Sequence, residues 1–252
     1  MNEPAAAPAP SPRARDVAAT NVAFYGDLWA GTRLQKPQRF NTWPLVAGLA
    51  ARAPRRLEIG PGMRPRLPIP GTCFLDIDDS AVAALGALGG IADRGEVTAL
   101  PYPDRRFDLV AALDIIEHVE DDARAMAEID RVLASDGTLL LSVPLHPSRW
   151  TGFDATVGHY RRYRPEEIMR LLERHGLVIE ASAVFGMQPK NEALLMFGLR
   201  SLRRHRAVAM WLYNWIIMPL GTLFQKPLKV EKGLIDTNGV DEIILVCRRR
   251  VG

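Results

Sequence analysis

Apolar residues fall in short runs through the middle of the chain, and most of these runs end on glycine, proline or an acidic side chain. The pattern predicts strands at Arg55 to Gly60, Thr72 to Ile77, Glu96 to Ala99, Phe107 to Leu113, Gly137 to Val143, Leu177 to Phe185 and Glu242 to Arg248. Helical spacing predicts Ser80 to Ala87, Asp121 to Ala134 and Pro165 to His175, the last bracketed by a first-turn proline and by Gly176. Strands alternating with helices imply an α/β fold, a mainly parallel sheet covered on both faces. Ahead of it, residues 17–54 read as a helical cap, two helices broken near Gly31 to Pro37. Residues 1–16 are mostly Ala and Pro, and Pro4, Pro8, Pro10 and Pro12 argue for a disordered tail. Residues 17–252 form one domain in this reading, with no internal repeat.

Glu58 interrupts the first strand. In Arg56-Leu57-Glu58-Ile59-Gly60-Pro61-Gly62 the apolar residues suit a strand buried on both faces, where a carboxylate needs a polar partner. That partner is either an arginine or a cationic ligand at the strand end. Gly60 and Gly62 allow a sharp turn with no side chain between backbone and ligand. Asp76 closes the second strand, where a carboxylate can accept from both hydroxyls of a ribose, and Glu96 stands where it can accept from an adenine amino group. Each has a plainer explanation: Asp76 as a helix cap, Glu96 as a solvated edge charge. Three acids at three successive strand ends favour a nucleoside site.

Composition narrows this picture a little. The 252 residues, 48% hydrophobic, can bury one substantial core. Lys and Arg number 32 against 29 Asp and Glu, a net charge of +3 that does not by itself call for nucleic acid. Cys73 and Cys247 are too few for a disulfide framework or a zinc site, which suits a reducing compartment. No metal is implied. No leucine-rich secretory signal is recognised near the start, so a cytoplasmic protein is expected.

With these residues in order, the chain resembles the class I S-adenosylmethionine-dependent methyltransferases. The likeness rests on Leu57 to Gly62, on Leu75-Asp76-Ile77-Asp78, on Ala99 to Asp104 and on Phe107 to Val110. Leu113 to Val119, with its Glu117-His118-Val119, and Glu128 to Leu133 leading into Asp136 to Pro144 extend it. The resemblance implies a Rossmann-like seven-stranded sheet of order 3-2-1-4-5-7-6 with an antiparallel last strand. It also implies S-adenosylmethionine as cofactor. Gly60 and Gly62 would then pass the methionine part, Glu58 would help hold its amino group, Asp76 the ribose and Glu96 the adenine, while Leu113 lines the cofactor. His118 matches the family block in a structural role.

One segment departs from the family. Met63 to Thr72 is too short and proline-rich for the helix that usually follows the first glycine turn, and Arg64 or Arg66 is then available to the cofactor carboxylate. For the reaction, holding the acceptor in line with an activated methyl supplies most of the rate, and a base is needed only where a proton must leave. His146 and His159 are the candidate catalytic bases, and Arg161 and Arg162 candidate clamps for an anionic acceptor. The reading is methyl transfer to a small or lipid-like, apolar acceptor. A methyltransferase-like scaffold without activity and an RNA methyltransferase are the alternatives, although no RNA-binding appendage or aromatic platform is visible.

A helical insertion is expected at residues 189–238, before the last strand. Ala207 to Phe224 carry no charge and are flanked by Arg200, Arg203, Arg204, His205 and Arg206 on one side and Lys226 and Lys229 on the other. The length invites a membrane span, but Glu242 to Arg248 must return to the sheet, and Pro219 and Gly221 interrupt the run. A buried helical lid over the acceptor pocket, with Trp211 and Trp215 facing the acceptor, is the expectation. Peripheral membrane contact through residues 191–229 is the alternative.

Overall fold

The computed structural model describes residues 12–186, 201 and 204–250. Its frame is one sheet, because strands such as β4 (Phe107–Leu113) have apolar residues on both sides and can be buried only between two layers. Val110 and Ala112 face a core shared with helix α4 (Asp122–Val132) and helix α6 (Pro165–Arg174), which contribute Met126, Ile129, Ile168 and Leu172. Leu109 and Ala111 point the other way, onto Val46 and Leu49 of helix α2 (Trp43–Ala50) and onto Leu67. The two-residue alternation of one strand thus closes both layers.

The remaining strands are β1 (Arg56–Ile59), β2 (Thr72–Asp76), β3 (Ile91–Arg94), β5 (Leu133–Pro144), β6 (Leu177–Val184), β7 (Glu231–Lys232) and β8 (Glu242–Arg249). They lie in the order β3-β2-β1-β4-β5-β8-β6-β7. β1 to β5 pair in parallel, and β8 runs antiparallel to both β5 and β6. This is the expected Rossmann-like arrangement, with one two-residue strand, β7, added at the edge beside β6. β1, β2 and β4 therefore end together, and the turns that follow them meet. Cys73 and Cys247 are buried free thiols on strands with three others between them, about 19 Å apart at the usual strand spacing and beyond disulfide reach.

Two local expectations change. The third strand is Ile91–Arg94, not Glu96 to Ala99, and pairs with β2 from Cys73 opposite Ile91 to Asp76 opposite Arg94. It is a largely exposed edge strand with little hydrophobic signal, while Val97 and Leu100, the apolar residues that suggested a strand, plug the core from the loop behind it. Helix α1 spans Pro12–Trp29 and so starts inside the segment expected to be a disordered tail. Pro12 is tolerated there because the first turn of a helix needs no amide hydrogen from it. Residues 1–11 lie outside the described residues. Met63 to Thr72 forms no helix, as its prolines predict.

Two further helices matter below: α3 (Asp79–Gly86), capped by Asp78 rather than Asp76, and α5 (Gly152–Val157). The insertion before β8 contains α7 (Arg206–Leu212), a π-turn at Tyr213–Ile217 and α8 (Met218–Leu223). Residues 187–200, 202 and 203, which include Arg200 and Arg203 of the expected basic flank, lie outside the described residues.

Candidate functional site

The glycine turn after β1 uses left-handed backbone at both glycines, φ 63° at Gly60 and 52° at Gly62. Both glycines are crowded: an added Cβ would lie 2.3 Å from Ile115 at the first and 2.3 Å from Trp29 at the second. Asp76 locks this turn to the next one. One of its carboxylate oxygens accepts the Gly62 N–H at 2.8 Å and the other the Asp78 N–H at 2.9 Å. The carboxylate is almost fully buried, and burial raises its pKa above the ordinary value.

Glu58 is satisfied differently from the reading above. Its carboxylate accepts the backbone N–H groups of Arg66, at 2.8 and 3.1 Å, and Leu67, at 2.9 Å, so it shapes the proline-rich loop from below. Burial outweighs these bonds and pushes its pKa up to about 7. Arg66 turns its guanidinium onto the Phe40 ring, 3.6 Å from the centroid, and Arg64 lies over Trp29 at 4.9 Å. Burial draws Arg66 down to about 10. Glu58, Gly60, Asp76, Glu96 and Leu113 all line one cavity, with Glu96 exposed at its edge. Gly62 reaches that wall through its hydrogen bond to Asp76.

The far wall is built by side chains from distant parts of the sequence. His159 follows the C-terminus of α5, and its Nδ1 lies 2.9 Å from Asp154 Oδ1. Asp154 also accepts from the Arg162 guanidinium at 2.8 Å and from the Thr151 N–H at 2.8 Å. Burial would raise the Asp154 pKa, but the bonds from His159 and Arg162 win and hold it well below the carboxylate range. His118 stacks edge-on against His159 with centroids 4.4 Å apart and touches Tyr25, whose ring in turn stacks on Trp29. Burial, helped by the neighbouring His159, pulls the His118 pKa down to about 3. Glu117, beside it, is fully buried. Contacts therefore run from Gly62 through Trp29, Tyr25 and His118 to His159.

Of the two histidines expected as bases, the structure brings only His159 to the cavity. His146 does not line it; its Nε2 lies 2.9 Å from the Thr237 carbonyl oxygen, which fits a tie between the β5 loop and the β8 approach. Arg161 and Arg162 are likewise committed, to Asp122 at 2.6 Å and to Asp154. Glu117, Tyr25, Asp154, Asp114 and Glu242 were not singled out from the sequence, although His118 and His159 flagged the neighbourhood. Burial and the adjacent Asp114 carboxylate raise Glu242 well above its usual pKa.

The cavity volume is about 1680 Å3, beyond the roughly 300–1,000 Å3 of single-ligand sites. Gly221 and residues 224–229 of the insertion form part of its wall. Trp211 and Trp215 do not: they are 57% and 56% exposed, and Trp215 carries Arg33 on its ring at 4.4 Å. The tryptophans expected to face the acceptor thus face solvent. Met210 and Met218 are the buried residues of these helices. Among the described residues no helix is long and apolar enough to cross a membrane.

Fold and site describe an α/β protein whose acidic strand ends share one large cavity with His118 and His159. The sequence model of a methyltransferase domain matches residues 72–141. A probable S-adenosylmethionine-dependent methyltransferase of Mycolicibacterium smegmatis is 34% identical over 110 residues, 42% of this chain and 43% of that protein. The ajmaline N-methyltransferase of Rauvolfia serpentina is 39% identical over 54 residues, 21% of this chain and 19% of that one. The chain thus matches less than half the length of these relatives. In fold it resembles an S-adenosylmethionine-dependent methyltransferase of Thermotoga maritima, described as a possible histamine N-methyltransferase, with TM-score 0.55 and 15% identity over 94% of this chain and 97% of that one. It also resembles the [4+2]-cyclase SpnF, with TM-score 0.56 and 19% identity over 92% and 94%. The chain is thus similar to S-adenosylmethionine-dependent methyltransferases in sequence over residues 72–141 and in fold over most of its length.

Proposed function

We propose that this protein transfers a methyl group from S-adenosylmethionine to a small acceptor with an apolar, lipid-like body. The observation that carries the reading is the convergence of Glu58, Asp76 and Glu96 on one large cavity. The donor set fits the cofactor. Each Asp76 oxygen uses one lone pair on a backbone N–H, which leaves acceptor capacity for ribose hydroxyls. Glu58 sets the floor of the methionine end and supplies negative charge toward its ammonium. Glu96, exposed at the cavity edge, would meet the adenine, and Arg64, which lines the cavity, would meet the carboxylate.

When bound, S-adenosylmethionine supplies a sulfonium-activated methyl group. The chain's own residues supply position. Tyr25 and Trp29 close the turn from above, and the chamber behind Ile115 holds the acceptor in line. His159, oriented through Nδ1 by Asp154, presents Nε2 to a group that must lose a proton. The lipid-like body rests on the exposed ring of Phe224 in the cavity wall, next to the exposed Leu220 and Leu223 of α8.

Calorimetric titration with S-adenosylmethionine, followed by transfer of a labelled methyl group into fractionated lipid and polar extracts, tests this. Micromolar binding with label in the apolar fraction is expected. Absence of binding would refute the methyltransferase reading, and label confined to polar products would refute the acceptor class.

A further inference from the structure

The deep wall of the cavity contains a buried carboxylate that nothing else explains. Glu117 has no exposed surface, lines the cavity, and neither of its carboxylate oxygens receives a hydrogen bond from another described residue. An unsatisfied buried carboxylate is among the costliest arrangements a fold can keep. His118 and His159 adjoin it. One ligand atom from each of the three residues can be chosen so that all lie within 4.8 Å of one another.

We propose that Glu117, His118 and His159 bind one divalent transition-metal ion, of the Mn2+ or Zn2+ kind, on the acceptor side of the cavity. Two imidazoles and a carboxylate are a donor set suited to such ions, and three protein ligands leave positions open for an acceptor. The surroundings are those of a metal site. His159 has its Nδ1 held by Asp154, the carboxylate–histidine pairing that presents Nε2 to a metal. His118 Nδ1 lies 3.2 Å from the Gly158 carbonyl oxygen and 2.7 Å from the Asn21 amide nitrogen, so its pocket supports either tautomer. Metal binding through Nε2 needs the proton on Nδ1, donated to Gly158, and the Asn21 amide, a donor at 2.7 Å, then has to turn aside. The local charge also calls for a cation: Asp114 and Glu242 adjoin Glu117, while Arg162 is taken up by Asp154.

This inference rests on the methyl-transfer reading and sharpens it. A divalent ion there would take an acceptor through oxygen, a phenol or alcohol, and lower the pKa of its hydroxyl. The hydroxyl proton leaves to water, the oxygen–methyl bond forms as the sulfur–methyl bond breaks, and the sulfonium charge is discharged. His159 then serves as a ligand and no base is required of it.

Binding of Mn2+ to chelator-stripped protein, followed by loss of the free-ion electron paramagnetic resonance signal, tests the site. One ion per chain is expected, displaced by Zn2+, with at least tenfold weaker binding in Glu117→Gln and in His159→Asn and no change in Trp211→Ser. Absence of stoichiometric binding, or binding that Glu117→Gln leaves unchanged, would mean an adventitious ion only and overturn the proposal. Should the variants fail to fold, the wild-type protein decides: Mn2+ must broaden the ring resonances of His118 and His159 and spare those of His146, His175 and His205. Any other pattern overturns it. S-adenosylmethionine titration of the same stripped protein separates the two claims. Cofactor binding without Mn2+ binding removes the metal site alone, and Mn2+ binding without cofactor binding removes the methyl-transfer reading.

Discussion

The indole of Trp29 stands against Gly62 so closely that a Cβ on that glycine would lie 2.3 Å from the ring. The last residue of α1 therefore closes the turn that follows β1. Gly62→Ala meets two penalties, a left-handed backbone at φ 52° and a clash with a buried indole, together about 2–4 kcal/mol. We expect a lower melting temperature and loss of S-adenosylhomocysteine binding, both measurable by thermal shift. A melting curve that matches the wild type would show that the contact carries no weight.

Asp76 joins two strand-end turns, so its replacement affects more than a ligand. Asp76→Asn leaves one acceptor oxygen where two are in use, at about 1–3 kcal/mol of stability. Loss of a charge-assisted bond to ribose should weaken cofactor binding about tenfold to a hundredfold. Calorimetry checks the affinity and urea unfolding the stability. Undiminished affinity would remove Asp76 from the ribose site.

Glu58 makes a proton-linked prediction. Its folded pKa of about 7 lies above the value of 4.5 for a free side chain, so the folded state holds the proton more tightly than the unfolded chain. Its contribution to stability is fully present below pH 4.5 and is lost as the pH rises toward 7, by an amount of up to about 3 kcal/mol. Glu58→Gln should flatten that slope in melts from pH 4.5 to 7.5. A cationic ligand end beside Glu58 lowers its pKa, so S-adenosylmethionine binding near pH 6.5 should release a proton, seen as buffer-dependent heats in the wild type and absent in Glu58→Gln. Identical heats in all buffers would place the ammonium elsewhere.

The exposed tryptophans give a surface prediction. Replacing Trp211 and Trp215 with Ser should reduce flotation with anionic phospholipid vesicles several-fold and leave cofactor affinity unchanged, because neither ring lines the cavity. Flotation of the wild type should weaken at high salt, since Arg204, Arg206 and Lys226 lie nearby in the chain. If neither protein floats, the apolar face serves something other than a lipid surface.

The strands readable from sequence are those whose burial leaves a pattern. β1, β2, β4 and β8 are apolar because both of their faces are covered, and each lies within a residue or two of its expected place. β3 was misplaced because an edge strand with an exposed isoleucine looks like a loop, and the loop after it, carrying Val97 and Leu100, looks like a strand. Glu58 was conspicuous for the same reason, as an acid breaking an apolar strand. The histidine wall of the cavity was not. His118 and His159 are 41 positions apart, and their rings come to 4.4 Å because the Tyr160 N–H bonds the Glu117 carbonyl while Asn21 of α1 packs against Gly158. Trp211 and Trp215 were assigned to an interior on hydrophobicity alone, which does not say which face of a helix is covered.

The side chain of Asn214 accepts the Arg33 N–H at 2.9 Å and donates to the Gly31 carbonyl at 2.8 Å, while Met210 packs against Gly31. The opening stretch of the chain and the stretch before its final strand are thereby fastened into one roof, one edge over the glycine turn and the other beside the acceptor chamber. A substitution at Asn214 therefore removes a tie from both stretches at once, although the residues it joins stand 181 and 183 positions away in the chain.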